Sequence, residues 1–271
     1  MNARTIFAII RKDLKVVSQN KGVVVPFIVI ALMFFVVMPG LSALLPGLVN
    51  GTGAEANDIE KLIKGLPAGL QQELSGLNMI QQATVFFLVY MLAPMFMIVP
   101  LMVASTIAAD SFAGEKERKT MEALLYTPTT DRELFVAKLL SGWLAAIVVS
   151  LAGFGLYSIM ANVAAWPQFQ HIFFPNIMWL VLILWVVPAV AGLGLSVMVL
   201  VSARSQGFQD AYQLGAVVVL PMVVLFYGQI AGVIYFNVAM VIVIGLVIWL
   251  LDGLLIWLGS RSFRRGRLLG A

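Results

Sequence analysis

Long apolar stretches alternate with short charged ones along this chain. Gly22–Leu45, Ala83–Ala109, Leu139–Ala165 and Ile177–Val201 are each long enough to cross a bilayer. A helix needs about 20 apolar residues to span a hydrocarbon core about 30 Å thick. A fifth stretch, Leu214–Leu258, carries only Gln229, Asn237 and Asp252 as strongly polar interruptions. As one helix it would reach roughly 67 Å, over twice the core, so it must turn back, and Tyr227–Asn237 offers the turn. The pattern predicts an all-α, polytopic membrane protein with six transmembrane helices in a single domain, residues 1–271. The expected spans are about 22–45, 83–109, 139–165, 177–201, 214–232 and 238–258.

Composition agrees with the pattern. The chain is 61% hydrophobic and 11% charged, against roughly 45–50% and about 25% for soluble domains. The distribution of basic residues gives an orientation, because cytoplasmic segments of membrane proteins are enriched in Lys and Arg. With both termini cytoplasmic, the inner segments hold every Lys and Arg except Lys61 and Lys64. Those two lie in a loop where Glu55, Asp58, Glu60 and Glu73 outnumber them. An odd number of spans would place one basic terminus outside. The net charge of +4 is thereby explained by topology, with no call for nucleic acid. No cleaved signal peptide is read, since Arg11, Lys12 and Asp13 cut the first apolar run short. The absence of cysteine excludes disulfides, thiol catalysis and cysteine-ligated metals.

Thr5–Lys21 has Ile6, Ile9 and Ile10 at helical spacing, with basic residues on the other face. It reads as an amphipathic N-terminal helix on the inner surface or as an extension of the first span. The outer segment Pro46–Ile80 has room for a short helix near Asp58–Gly65.

Much of the remaining polar chemistry sits in one inner loop, Asp110–Lys138. Glu115–Tyr126 contains no Gly or Pro and is expected to be helical, with Gly114 and Pro128 as its boundaries. Glu115 and Lys119 stand at i,i+4, and Met121, Leu124 and Leu125 make an apolar patch. Thr130 and Glu133 form a T-x-x-E capping box that opens the next helix. The loop thus reads as a short, charged helix held between two membrane helices, the shape of a docking element. From spacing alone a solvated, self-paired hairpin is equally compatible.

The segment also resembles a known one. A second span followed by Gly114, Glu115, Lys116, Glu117, Arg118, Thr120, Glu122, Leu124, Leu125, Thr127 and Pro128 is similar to the G-E-K-E-R-x-T-x-E-x-L-L-x-T-P sequence of exporter-type ABC transporter permeases, the type 2 permease family. Six spans, an amphipathic first helix and a basic tail match as well. The resemblance implies that the loop is a coupling helix between spans 2 and 3. Its Gly114, Glu115, Lys116, Glu117, Arg118, Thr120, Met121, Glu122, Leu124 and Leu125 would then dock on a separate ATPase subunit. It further implies a homodimer or heterodimer of permeases in a cell (plasma or inner) membrane, with a prokaryotic source. ATP and Mg would be bound by the partner subunit and no cofactor by this chain. The second and fifth spans would line the substrate pathway, exposing Phe87, Tyr90, Met91, Pro94 and Met95 together with Val217, Pro221 and Val224. That lining suits a hydrophobic or amphipathic substrate moved out of the cytoplasm.

The chain should not be an enzyme. GEKERKT lacks the second glycine of a P-loop and has no strand before it. No nucleophile–base pair or metal-ligand spacing is present, and the single histidine, His171, reads as an interfacial packing residue. Asp252 lies inside the sixth span, where an acid is either a functional site or a structural group paired near the basic tail. Other readings of the whole are an ion-driven secondary transporter and a membrane scaffold that recruits a cytoplasmic partner.

Overall fold

A computed structural model describes residues 3–49, 65, 67–119, 130–205 and 207–262, and among them there are helices and no strands. Six helices are long and apolar enough to cross a membrane: Val24–Ala43, Met79–Glu117, Glu133–Phe169, Ile177–Arg204, Phe208–Ile230 and Val238–Gly259. These are referred to below as spans 1 to 6. Span 4 is the centre of the bundle, packed on spans 2, 3 and 6, while spans 1, 5 and 6 leave most of their surface outside. An N-terminal helix, α1 (Ala3–Gln19), lies against span 3 and is separated from the helix of span 1 by Asn20. It buries Ile9, Ile10 and Asp13 and leaves its basic face open, so it is an amphipathic helix rather than an extension of span 1.

Prolines shape the spans. Proline has no N–H and clashes with the carbonyl four residues before it. The five-residue wide turns Met33–Val37 and Leu182–Val186 and the six-residue one Phe86–Met91 contain Phe35, Leu184 and Tyr90. Those are the residues four before Pro39, Pro188 and Pro94. Pro221 is handled by a tight turn instead, Ala216–Val219, and Met97 interrupts span 2 ahead of Pro100. Carbonyls released by such turns must find donors inside the protein, since hydrocarbon offers none. Two of them do so across the core. Tyr157 Oη donates to the Leu88 carbonyl at 2.5 Å, and Trp179 Nε1 donates to the Val89 carbonyl at 2.7 Å. Their rings stack at 4.8 Å and meet Phe96 and Phe174, which makes the aromatic centre of the bundle.

The helices run further than their apolar stretches suggest. Span 2 continues through Asp110–Glu117, and the helix of span 3 already begins at Asp131, so much of the expected loop is helical extension of the two spans. Thr130 and Glu133 form the reciprocal cap that the sequence indicates. At the opposite end a short helix, α2 (Ala68–Leu74), packs Leu70 and Leu74 inward. The helix expected near Asp58–Gly65 lies almost wholly outside the described residues. Gln168 joins three spans there: its Nε2 donates to Ala43 O, and its own oxygens accept from Gln81 and Thr84. Span 5 ends at Ile230, Gly232 adopts φ +70, and Asn237 caps span 6 through Met240 N, which completes the reversal between the last two spans.

Candidate functional site: a polar junction at the basic end

The charged residues after span 2 turn inward. The Asp110–Gly114 turn is another wide one, and helix continues through Gly114 to Glu117. Gly114 is therefore not the start of a separate helix. Its role is spatial: a Cβ there would sit 2.9 Å from Asp110 Oδ1 and 3.2 Å from an Arg118 guanidinium nitrogen. Those two groups form an ion pair of 3.0 Å across the glycine. After Arg118 the chain leaves the helix with Lys119 at φ 58. The continuous helix expected over Glu115–Tyr126 is thus interrupted early, because Lys119 occupies the left-handed region that ends helices.

Glu115 is 5% exposed, and its carboxylate faces into the bundle. Its Oε1 accepts from Lys12 Nζ at 2.6 Å and its Oε2 from Lys138 Nζ at 2.5 Å. Lys138 is fully buried, donates also to the Ser111 carbonyl at 2.7 Å, and lies 5.6 Å from the Phe112 ring centroid. Buried Asp13 completes the group, 3.3 Å from Lys12 and accepting from Ser141 Oγ. Lys12 and Lys138 thus meet Glu115 and Asp13, and the opposite charge beside it is what makes burial of Lys138 tolerable. Burial pulls the Lys12 ammonium down, but Glu115 and Asp13 outweigh it and hold Lys12 above its ordinary value. The i,i+4 partner expected for Glu115, Lys119, is replaced by two lysines from other elements, α1 and span 3.

The neighbouring residues reach the other side of the bundle. Lys116 Nζ donates to the Ser205 carbonyl at the end of span 4, 3.2 Å away. Glu117 Oε2 accepts from the backbone N–H of Phe208 at 2.9 Å, which caps span 5. Gly207 makes room for it, since a Cβ there would lie 2.6 Å from that oxygen. Residues 115–118 therefore tie the end of span 2 to α1, span 3, the end of span 4 and the start of span 5. Lys116, Glu117, Arg118 and Lys119 keep an exposed surface. Thr120, Met121, Glu122, Leu124 and Leu125 lie outside the described residues.

The residues expected along a pathway divide. Phe87, Met91 and Met95 form a half-exposed line on span 2, and Val217, Pro221 and Val224 are exposed on the adjoining span 5, joined by Leu214, Leu220 and Tyr227. Tyr90 and Pro94 are buried. Tyr90 donates a hydrogen bond to Glu73 and sits 5.9 Å from the Tyr235 ring, so it fastens the outer segments. His171 packs on Phe169, and its Nδ1–H donates to the Phe169 carbonyl 2.7 Å away, as a packing residue would. Among the described residues, the Asp252 carboxyl faces span 4, where Ser196 donates to it at 3.4 Å; the basic tail beyond Ser262 lies outside them. Sequence reasoning missed Lys12 and Lys138 as partners of Glu115, and Asp13 as the second anion beside Lys12. The available signal was Lys138 itself, a lone charge inside the apolar run Leu134–Leu140.

The arrangement defines a six-span helical membrane protein with a charged junction at one end. A family model described as ABC-2 family transporter protein matches residues 7–256, and the chain belongs to that family. The match extends from α1 into span 6 and takes in the whole junction. The chain is accordingly the membrane subunit of an ABC transporter, a class that associates with an ABC ATPase. No curated protein matches the chain in sequence.

Proposed function

We propose that this permease is the membrane half of an ATP-driven exporter, with its basic end in the cytoplasm and its energy received through the segment after span 2. The observation that carries the reading is the set of bonds made by residues 115–118. They join four other parts of the bundle, so a displacement of the segment between spans 2 and 3 is passed to all of them at once. Rigid elements with discrete contacts are what transmits such a displacement. Docking on the ATPase then falls to the exposed side of Lys116, Glu117, Arg118 and Lys119 and to the apolar residues Met121, Leu124 and Leu125, while Glu115 holds the segment from behind. Replacing Leu124 by Asp should abolish co-purification of the ATPase subunit and leave the permease folded. Undiminished binding and substrate-stimulated hydrolysis would overturn the reading.

The line Leu214, Val217, Leu220, Val224 and Tyr227 on span 5 supports pairing of two permeases along that face, with the span 2 line Phe87, Met91 and Met95 at its margin. An apolar, methionine-bearing wall of this kind suits a hydrophobic or amphipathic substrate. The chain contains no cysteine. Val224→Cys alone should therefore give oxidant-dependent cross-linked dimers in membranes, and Val243→Cys on the exposed face of span 6 should not. The reverse result would move the pairing face elsewhere.

A further inference from the structure

Asp252 lies fourteen residues into span 6 from Val238, roughly 21 Å along the helix, and seven residues before its end at Gly259, roughly 10 Å. It is thus set within the hydrocarbon depth, and it is 1% exposed. The residue packs against span 4, where Gly192 faces it: a Cβ on Gly192 would stand 2.4 Å from Asp252 Oδ2. The absence of a side chain at Gly192 is what makes room for the carboxyl group. Ser196, one turn along the same face, donates to Oδ1. Oδ2 is buried with no hydrogen-bond partner, and one turn away on span 6 the Trp249 indole N–H is also buried and unpartnered.

An ionised carboxylate in that position would be held by one long hydrogen bond from a hydroxyl, and charges buried without a partner neutralise instead. Span 4 is the span packed closely on span 6, and its one ionisable residue is Arg204, exposed at the basic end eight residues beyond Ser196. Span 6 itself contributes no other charge before Arg261. The contrast with Glu115 is direct: that carboxylate is met by two ammonium groups, Asp252 by none among the described residues. A metal cation needs several oxygen ligands, and here the side chains facing one another supply the carboxyl and one hydroxyl. A proton needs only the free Oδ2.

We propose that Asp252 is a proton-binding site between spans 4 and 6, occupied in the folded protein, so that the packing of span 6 depends on a bound proton. The protonated Oδ2–H is a donor instead of a bare charge, and Gly192 and Ser196 form the seat of a neutral acid. Loss of the proton places an unpaired anion against the backbone of span 4 and loosens the contact.

Infrared spectroscopy on the full chain in lipid nanodiscs tests this without any ATPase, so its failure would leave the coupling reading untouched. The wild-type spectrum minus that of Asp252→Asn should show a protonated carboxyl carbonyl band at neutral pH. A difference containing only carboxylate bands would overturn the proposal. Thermal stability should fall towards alkaline pH more steeply in the wild type than in Asp252→Asn; equal pH profiles would count against it. Should Asp252→Asn fail to fold, Ser196→Ala keeps the acid and removes its donor. The band should then move to higher frequency, and an unmoved or missing band would again sink the assignment.

Discussion

The ammonium of Lys138, at the foot of span 3, lies 2.5 Å from Oε2 of Glu115, at the foot of span 2, with Lys138 wholly removed from solvent. Both charges are buried, and each is a principal reason for the other being tolerable. Removing one partner from such a pair leaves an uncompensated buried charge, at a cost of about 3–5 kcal/mol. Lys138→Met should therefore lower the thermal unfolding temperature sharply, and the double variant Glu115→Leu/Lys138→Met should recover much of the loss. A double-mutant cycle in detergent measures it; simple additivity would show that the two residues act separately.

The tie from α1 should depend on pH. Lys12 is held above its ordinary value in the folded protein. A group raised in this way adds stability that is fully present below its unfolded value of about 10.5 and is lost as pH rises through the folded value. Protection of the α1 amides, measured against their intrinsic base-catalysed exchange rate, should accordingly fall only in strongly alkaline solution. Lys12→Gln should exchange fast already at neutral pH, with the alkaline step removed.

Gly114 should not accept even a methyl group without rearrangement. A Cβ would press on both members of the Asp110–Arg118 pair, and crowding of this sort costs about 1–3 kcal/mol. Gly114→Ala should lose stability by that order in chemical denaturation, and adding Asp110→Ala should return part of it by vacating the contested space.

Tyr157→Phe removes the donor to the Leu88 carbonyl and leaves the ring stack intact. Leaving a buried acceptor unsatisfied costs about 1–3 kcal/mol. Tryptophan fluorescence of the folded protein should change little, since Trp179 stays packed, while the unfolding midpoint drops.

The span count was legible because the bilayer imposes a length, and runs such as Ile177–Val201 meet it with no charge inside. The extents were not, because Asp110–Glu117 and Asp131–Lys138 carry loop-like charge yet continue the helices. Their charges are paired across elements, Lys138 with a residue 23 positions away and Lys12 with one 103 positions away, and no local spacing reports such distances. The resemblance places Tyr90 on the pathway face of span 2, and in the structure it is buried. The wide turn Phe86–Met91 carries an extra residue, and one residue rotates the face beyond it by about 100°. The proline that causes this, Pro94, was visible; its effect on which side faces inward was not. Within the G-E-K-E-R signature, Glu115 makes inward bonds while Lys116, Glu117 and Arg118 keep exposed surface, a division that local spacing does not report.

Span 5 begins at a glycine, and Gly207 has no side chain with which to cap its own helix. The missing acceptor comes from Glu117, 91 residues earlier in the chain. The first turn of the fifth span is therefore completed by an element already synthesised and placed. The Phe208 N–H thus has its acceptor only when the ends of spans 2 and 5 are packed together, so the second half of the chain is fastened to the first at this turn.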